Sequence, residues 1–242
     1  MGHFTKHLLT EILLFHASFP KFVQANGISF PSITSILSFM KIIAVGRNYI
    51  DHAKELNNPV PEKPVIFLKP DTAVLKDNKD FYFPDFSKDV HYEVEVVLRV
   101  CNEGKHVSKK FAHKYYDAIG LGIDFTARDI QADHKAKGLP WELAKAFDHS
   151  AVISNLIPKD DFTNIQELSF SLTKNGETVQ AGNTRDMIFD YDSLISFVSQ
   201  YITIRKGDLI YTGTPAGVGP VHIGDKLEGF LEGKSMFVCQ VK

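Results

Sequence analysis

Two glutamates, Glu93 and Glu95, lie within a stretch rich in Val and Leu that runs from Val90 to Val100. The stretch predicts one buried β-strand, in which residues two apart share a face, so both carboxylates project the same way. Ionised carboxylates on one face repel each other and are costly to bury unpaired, and a cation between them would relieve both effects. Oxygen ligands alone favour a hard ion such as Mg²⁺, Mn²⁺ or Ca²⁺. The alternative is an edge strand with a solvated acidic face.

A third acid, Asp124, ends the apolar run that begins at Ala118 and predicts another strand. Because a helix is predicted to start at Phe125, Asp124 is either its N-cap or a third carboxylate ligand. Gly120 and Gly122 precede that helix as in a dinucleotide-binding fingerprint, but the third glycine is replaced by Phe125. The two glycines are therefore better explained by close backbone packing.

A histidine and a glutamate three residues apart, His52 and Glu55, share one face of a short helix predicted from Ile50 to Leu56. A carboxylate beside an imidazole orients it and raises its basicity, as a general base requires. An ordinary polar pair on the surface is the alternative. Lys145 lies among apolar neighbours and is either partly desolvated for function or a surface lysine with a buried stem.

The C-terminal third predicts a series of short strands. Asn175-Gly176 between two strand-like runs is a strong hairpin signal, because this pair adopts the positive φ angles of the turn. Between Tyr211 and Pro220, three glycines and two prolines form a shaped loop. Its free N–H groups are suited to holding a carboxylate, although a plain tight connection would have the same composition.

The composition describes an ordinary soluble protein of 242 residues with a net charge of −2, which favours neither nucleic acid nor a membrane as a partner. Two isolated cysteines suit a reducing compartment, and we expect a cytoplasmic protein. The apolar run from Leu8 to Phe15 is too short to span a bilayer. We predict that the compact domain comprises residues 40–242, and that residues 1–39 are a poorly ordered extension or an artefact of start-site choice.

Taken together and in this order, the motifs resemble the fumarylacetoacetate hydrolase family from about Met40 to the C-terminus. The closest likeness is to its small single-domain acylpyruvase members, which also act on oxaloacetate. The stretches that carry the resemblance are Gly46-Arg47-Asn48-Tyr49 with His52, Phe67-Leu68-Lys69-Pro70, His91-x-Glu93-x-Glu95, Asp124-x-Thr126-Ala127-Arg128-Asp129, Gly138-Leu139-Pro140-Trp141 with Lys145, and Thr212-Gly213-Thr214-Pro215-x-Gly217-Val218-Gly219.

The resemblance implies a mixed α/β fold that is predominantly β, a roll of mixed sheets with a few short helices, assembled as a homodimer. It implies Mg²⁺ or Mn²⁺ held by three carboxylates, a His–Glu dyad, a lysine that contacts substrate, and further substrate-binding residues. In this sequence the metal ligands are Glu93, Glu95 and Asp124, the catalytic residues His52, Glu55 and Lys145, and the substrate-binding residues Arg47, Arg128, Gln131 and Thr214.

The implied activity is hydrolysis of the C–C bond of acylpyruvates such as acetylpyruvate or fumarylpyruvate, with decarboxylation of oxaloacetate as a second reaction. In such a reaction the base deprotonates water and the metal stabilises the pyruvate enolate that leaves. The substrate is thus a small 2-oxo acid. Two alternatives stay open. One is an isomerase or decarboxylase of 2-hydroxyhepta-2,4-diene-1,7-dioate or 5-carboxymethyl-2-hydroxymuconate, and the other is a non-catalytic protein that binds a divalent cation.

Overall fold

The computed structural model describes residues 40–55, 59–76 and 78–242. Within these ranges the chain is predominantly β, with sheets of mixed strand direction and a few short helices, which confirms the predicted fold class. The predicted extension, residues 1–39, lies outside the described residues, so the domain start at Met40 stays a prediction. None of the described helices is long and apolar enough to cross a membrane.

The described strands are mostly short, and the longest of them lie in the middle of the chain and near its C-terminus. In chain order they are β1 (Ile42–Gly46), β2 (Val65–Lys69), β3 (Val74–Leu75), β4 (Val90–Tyr92), β5 (Val94–Val100), β6 (Tyr116–Asp124), β7 (Thr126–Ala127), β8 (Ala151–Ile153), β9 (Ile157–Pro158), β10 (Ser169–Lys174), β11 (Glu177–Asn183), β12 (Leu209–Tyr211), β13 (Gly219–Pro220), β14 (Lys226–Leu231) and β15 (Lys234–Gln240).

The described α-helices are also short, and most connect strands at the edges of the sheets. They are α1 (Ile50–Glu55), α2 (Arg128–Lys137), α3 (Glu142–Lys145) and α4 (Tyr191–Tyr201). Single turns of 3₁₀ helix occur at Asp71–Ala73, Lys159–Asp161, Ile165–Glu167 and Thr184–Asp186, and a longer one at Lys109–Lys114.

The largest sheet has the order β2-β1-β12-β5-β6-β8-β3, with β9 also paired to β6. A second sheet, β11-β10-β14-β15, packs through β10 on β5 and through β14 and β15 on β6. Alternate residues of β5 therefore enter two separate apolar clusters, Val96 and Leu98 on one face and Val97 on the other. Burial of both faces explains why this part of the sequence is almost continuously apolar.

The strand predicted from Val90 to Val100 is in fact two strands that are separated at Glu93, so the prediction of one strand is wrong. β4 belongs to a small third sheet, β13-β4-β7, whereas β5 pairs with β6 and β12 in the largest sheet. The strand that pairs with this segment is interrupted opposite Glu93. β6, the partner of β5, ends at Asp124, and β7 then pairs with β4. The Asp124 N–H donates to the Glu93 carbonyl at 2.8 Å and joins the two breaks.

The helix predicted from Phe125 begins three residues later, at Arg128. Its N-cap is Ala127, which has no side chain to accept a hydrogen bond, so the interpretation of Asp124 as a helix cap is wrong. The predicted hairpin is confirmed, with φ angles of 54° at Asn175 and 88° at Gly176 between β10 and β11. This turn makes β10 and β11 antiparallel neighbours in the second sheet.

Candidate active site

Three buried carboxylates meet where the largest sheet passes into the small one. Glu93 lies at the break, Glu95 is two residues further along β5, and Asp124 is the last residue of β6. One oxygen from each lies within 4.8 Å of the others. Since Glu93 is 5% exposed and Glu95 2% exposed, the alternative of a solvated acidic edge is wrong.

Three cationic side chains contact this cluster. The Lys145 ammonium, at the end of α3, donates to Glu93 Oε2 at 2.7 Å and to Asp124 Oδ2 at 2.6 Å. Arg128, the first residue of α2, donates from Nη2 to Glu93 Oε1 at 2.5 Å. Lys145 is itself buried, so its interpretation as a surface lysine is wrong.

The third cation is Lys69. It lies in the family-like stretch Phe67-Leu68-Lys69-Pro70, but no role in the site is predicted for it from the sequence. Its Nζ lies 2.6 Å from Asp124 Oδ1 and donates to the Ser150 hydroxyl and carbonyl oxygens at 2.9 and 3.0 Å. The sequence position of Lys69 could have indicated that it is buried, because Lys69 is two residues from Phe67 and therefore shares its face of β2. Both side chains are buried there, and a lysine on the buried face of a strand calls for an acidic partner.

The charges of the cluster are unequally compensated. Burial acts to raise the pKa of Glu93, but the Lys145 and Arg128 charges outweigh it and hold that pKa well below its usual range. At Glu95, burial and repulsion by Asp124 and Glu93 raise the pKa well above its usual range. The main opposing contact is the Gly213 N–H, which donates to Glu95 Oε2 at 2.7 Å.

This imbalance and the oxygen-only donor set fit a divalent cation. Oxygens on opposite sides of an octahedral Mg²⁺ are about 4.2 Å apart, so small side-chain movements would bring all three ligands to one ion. A divalent charge would also offset the repulsion by Asp124 and Glu93 that raises the pKa of Glu95. The residues present therefore suit Mg²⁺ or Mn²⁺, as the sequence predicts.

The predicted dyad forms within α1. His52 Nδ1 lies 3.3 Å from Glu55 Oε2, and Glu55 Oε1 accepts a hydrogen bond of 3.0 Å from the Gly217 N–H. His52 is buried, whereas the Glu55 side chain is about one-third exposed, so this is not an ordinary surface pair. Burial lowers the pKa of His52, and the nearby Glu93 and Glu55 charges oppose this only in part. The imidazole is therefore neutral near pH 7 and able to accept a proton.

The glycine-rich loop between β12 and β13 connects the acids to the dyad. Two of its backbone N–H groups bind carboxylates of the protein itself, that of Gly213 to Glu95 and that of Gly217 to Glu55. The φ angle of Gly213 is 104°, and a Cβ there would lie 2.6 Å from the Asn48 Cβ, so only glycine fits without rearrangement. The loop thus positions catalytic candidates.

Gln180 on β11 is a second residue that sequence reasoning missed. Its Oε1 accepts from the Val94 N–H at 2.9 Å, at the residue between the two glutamates. Its Nε2 donates to the Thr214 hydroxyl at 2.8 Å and to the Pro215 carbonyl at 3.0 Å. No spacing in the sequence links these partners, which are 34 to 86 residues away.

A small pocket opens beside the cluster and brings most of the predicted residues together. Of the predicted residues, it is lined by Arg47, His52, Glu93, Arg128, Gln131 and Lys145. Gln131 accepts from Arg128 Nη1 at 2.7 Å, and Arg47 has a left-handed φ of 61°, a strained conformation that is common at functional sites. Thr214 does not line this pocket, since it is buried and its hydroxyl accepts from Gln180. The placement suits the predicted roles, which stay predictions.

The profile of the family described as fumarylacetoacetate (FAA) hydrolase C-terminal matches residues 41–242. Oxaloacetate tautomerase FAHD1, mitochondrial, of Arabidopsis thaliana is 44% identical over 195 residues, which are 81% of this chain and 87% of that protein. Oxaloacetate decarboxylase, mitochondrial, of Dictyostelium discoideum is 41% identical over 194 residues, covering 80% and 89% of the two chains.

Among solved structures, fumarylpyruvate hydrolase from Pseudomonas aeruginosa in complex with Mn²⁺ and pyruvate has a TM-score of 0.80 and 31% identity. The alignment covers 90% of this chain and 93% of that one. The profile match over most of the chain, the identity to these relatives and the shared fold agree with the motifs noted in the sequence. The chain therefore belongs to the fumarylacetoacetate hydrolase family.

Proposed function

We propose that the protein is a divalent-metal-dependent enzyme that interconverts the keto and enol forms of oxaloacetate. The observation that carries the proposal is the cluster of three buried carboxylates with Lys145 bound to it and His52 lining the same pocket. The identity to an oxaloacetate tautomerase over most of both chains supports the choice of substrate. Glu93, Glu95 and Asp124 would hold Mg²⁺ or Mn²⁺, and the Mn²⁺ in the related hydrolase supports this type of ion.

Keto–enol interconversion moves a proton between carbon 3 and the oxygen on carbon 2, through an enolate in which negative charge collects on that oxygen. A bound Mg²⁺ or Mn²⁺ supplies Lewis-acid stabilisation of this charge. His52, neutral and held through Nδ1 by Glu55, has Nε2 to take up and return the proton. The contacts with Asp124 and Glu93 outweigh burial and raise the pKa of Lys145, so it stays cationic and adds to the electrostatic stabilisation.

Cleavage of the C–C bond of acylpyruvates, the activity implied by the sequence, is the second candidate. The His52–Glu55 pair favours it, because a general base held in this way also suits the deprotonation of water. Decarboxylation of oxaloacetate needs the same enolate but no attacking water. Isomerisation of 2-hydroxymuconate-type diacids would use the same acids. A non-catalytic role is disfavoured because the metal candidates, the dyad and the lysine are all present and adjacent.

The test is to follow the decay of enol-oxaloacetate absorbance with purified protein and Mn²⁺ or Mg²⁺, alongside acetylpyruvate cleavage and pyruvate release from oxaloacetate. We expect metal-dependent acceleration of enol decay. His52→Ala should slow acetylpyruvate cleavage far more than decarboxylation, since only cleavage needs a water base. Absence of turnover on every 2-oxo acid despite bound metal would instead favour the non-catalytic alternative. Equal loss of cleavage and decarboxylation would remove His52 as a dedicated water base.

The compartment and the assembly are also proposals. We expected a cytoplasmic protein, whereas the two curated relatives are mitochondrial by name, which makes mitochondria the competing location. Imaging the full-length chain with a C-terminal tag in its own cells would distinguish the two. The homodimer, and the absence of nucleic acid and membrane among its partners, stay predictions.

A further inference from the structure

Two of the cationic side chains that line the active-site pocket make no ion pair with its acids. They are Arg47, which follows β1, and Lys135, on the exposed side of α2. Within the described ranges, neither has a carboxylate oxygen within 4.0 Å of its charged nitrogens, unlike Lys137 on the same helix, which lies 2.7 Å from Asp133. The pocket therefore has two zones of positive charge, one bound to the acids and one unpaired.

The unpaired cations stand close to other cations. Burial against its neighbours and the charges of Arg47 and Arg128 lower the pKa of Lys135, and Glu93 opposes this only weakly. Arg128 is already paired with Glu93 and Gln131. Neighbouring like charges are unfavourable unless an anion binds between them, so this part of the pocket favours a negatively charged group.

An aromatic wall connects the two zones. The Lys145 ammonium lies 5.1 Å from the centroid of the Phe67 ring, and the Phe67 and Trp141 rings are 6.0 Å apart. The Lys135 ammonium lies 5.5 Å from the Trp141 centroid. These contacts connect the two ammonium groups through the Phe67 and Trp141 rings, which line the same pocket. A substrate that extends along these rings from the acids would direct its distal group toward Lys135.

We propose that Lys135, together with Arg47, forms a subsite for the distal carboxylate of the substrate and so selects 2-oxo dicarboxylates over 2-oxo acids with an uncharged tail. The inference rests on the proposed function, because it assumes that the 2-oxo acid end of the substrate lies at the carboxylate cluster. It adds a specificity-determining residue, Lys135, and a substrate class, short dicarboxylates. Oxaloacetate and fumarylpyruvate belong to this class and acetylpyruvate does not.

The first measurement compares kcat/KM for oxaloacetate and acetylpyruvate in wild type and Lys135→Met. Loss of one charge-assisted contact should lower kcat/KM for oxaloacetate by about tenfold, mainly through KM, and leave acetylpyruvate within about twofold. Lys137→Met is the matched control, since it removes an exposed lysine from the same helix away from the pocket. Lys135→Arg should retain the preference. Equal effects of Lys135→Met on both substrates, or none on either, would overturn the proposal.

The second measurement separates failure of this inference from failure of the proposed reaction. Isothermal titration in the presence of Mn²⁺ compares 2-oxoglutarate with 2-oxovalerate, which has the same number of carbons but lacks the distal carboxylate. We expect wild type to bind 2-oxoglutarate about tenfold more tightly, and Lys135→Glu to reverse this order. This holds whichever reaction the enzyme performs. If wild type binds the two ligands equally, the distal subsite is disproved even if oxaloacetate is turned over.

Discussion

Charge balance decides how the individual side chains of the site behave. Three carboxylates face the ammonium groups of Lys69 and Lys145 and the Arg128 guanidinium, but these cations contact only Glu93 and Asp124. Glu95 is left with a backbone N–H as its partner. Burial and the neighbouring acids therefore raise the pKa of Glu95 in the metal-free cluster, and binding of a divalent ion, which requires the carboxylate, should lower it again.

Glu95→Gln should separate metal binding from folding. A group with a raised folded-state pKa contributes stability at low pH that is lost as the pH rises through that pKa, so metal-free wild type should lose stability in this way. Glutamine keeps an acceptor for Gly213 and cannot ionise. We expect metal-free Glu95→Gln to unfold at or above the wild-type temperature near pH 7, but without stabilisation by Mn²⁺. Thermal unfolding with and without Mn²⁺ measures both effects, and an undiminished Mn²⁺ shift would exclude Glu95 as a ligand.

Lys69→Met should destabilise the protein strongly. It leaves a buried Asp124 oxygen and the Ser150 oxygens without their cationic partner, and breaking a buried pair in this way costs about 3–5 kcal/mol. Urea unfolding gives the free energy. The control is Lys109→Met, which breaks a largely exposed 2.9 Å pair with Asp190 and should cost no more than about 1 kcal/mol. Similar losses for the two variants would show that the buried pair has no special role.

The pH dependence of turnover should report His52. Because burial lowers its pKa from the ordinary value, the reactive neutral form predominates at pH 7 and is lost only in acid. The kcat/KM for acetylpyruvate should therefore be level around neutrality and fall only at a pH below the ordinary pKa of histidine. His52→Gln should lower kcat/KM near neutral pH by roughly 10²–10⁴-fold and abolish its decrease at acidic pH. An unchanged decrease in the variant would assign it to another group.

At the residue scale, the site residues that follow a local spacing could be predicted from the sequence. Those that reach the site through contacts between distant parts of the chain could not. Glu93 with Glu95, and His52 with Glu55, are detectable because strand and helix periodicity places each pair on one face. The position of Asp124 follows from the end of an apolar run. The contacts of Lys69 and Gln180 join strands that are far apart in the sequence and do not pair with each other, so no local spacing encodes these contacts.

At the scale of elements, the decisive feature is the simultaneous break in two paired strands. β4 and β7 continue beyond β5 and β6 in a different sheet, and the acids Glu93 and Asp124 lie at the break. The sequence shows no sign of it, because alternation of side chains continues across the break and neither Gly nor Pro marks it. The turn at Asn175-Gly176 is predictable, because its backbone requires positive φ angles and the residue types that adopt them are visible in the sequence.

The attachment of β11 to the glycine-rich loop can be tested through Gln180. Gln180→Ala leaves the buried Val94 N–H unpaired and removes the donor to Thr214, so we expect a loss of about 1–3 kcal/mol in stability. Because the loop also holds Glu95 and Glu55, kcat should fall as well. Unfolding in urea and steady-state kinetics measure the two effects. Gln200→Ala, at an exposed position on α4, is the control and should change neither.

At the scale of the whole molecule, fold class and family followed from the order of the motifs, but the reaction did not. Hydrolysis, decarboxylation and tautomerisation all require a metal-stabilised enolate and the same few side chains, and the sequence reasoning did not include tautomerisation. Only hydrolysis needs an attacking water, whereas decarboxylation and tautomerisation of oxaloacetate share one substrate, so no residue pattern separates the three reactions. The pocket beside the acids is assembled from β1 and the residue after it, α2 and the segment that contains Trp141. Its composition becomes visible only once these segments are brought together.

Deletion of residues 1–39 tests the domain boundary predicted at Met40. The family profile begins at residue 41, and the metal candidates, the dyad and the glycine-rich loop lie within residues 40–242. We expect the shortened chain to bind Mn²⁺ as the 242-residue chain does. Its kcat/KM should lie within about twofold of that chain's value, and its Tm within about 4 °C, which corresponds to roughly 1 kcal/mol. Thermal unfolding and kinetics on both chains measure this. A larger loss would mean that residues 1–39 contribute directly to the core or the site.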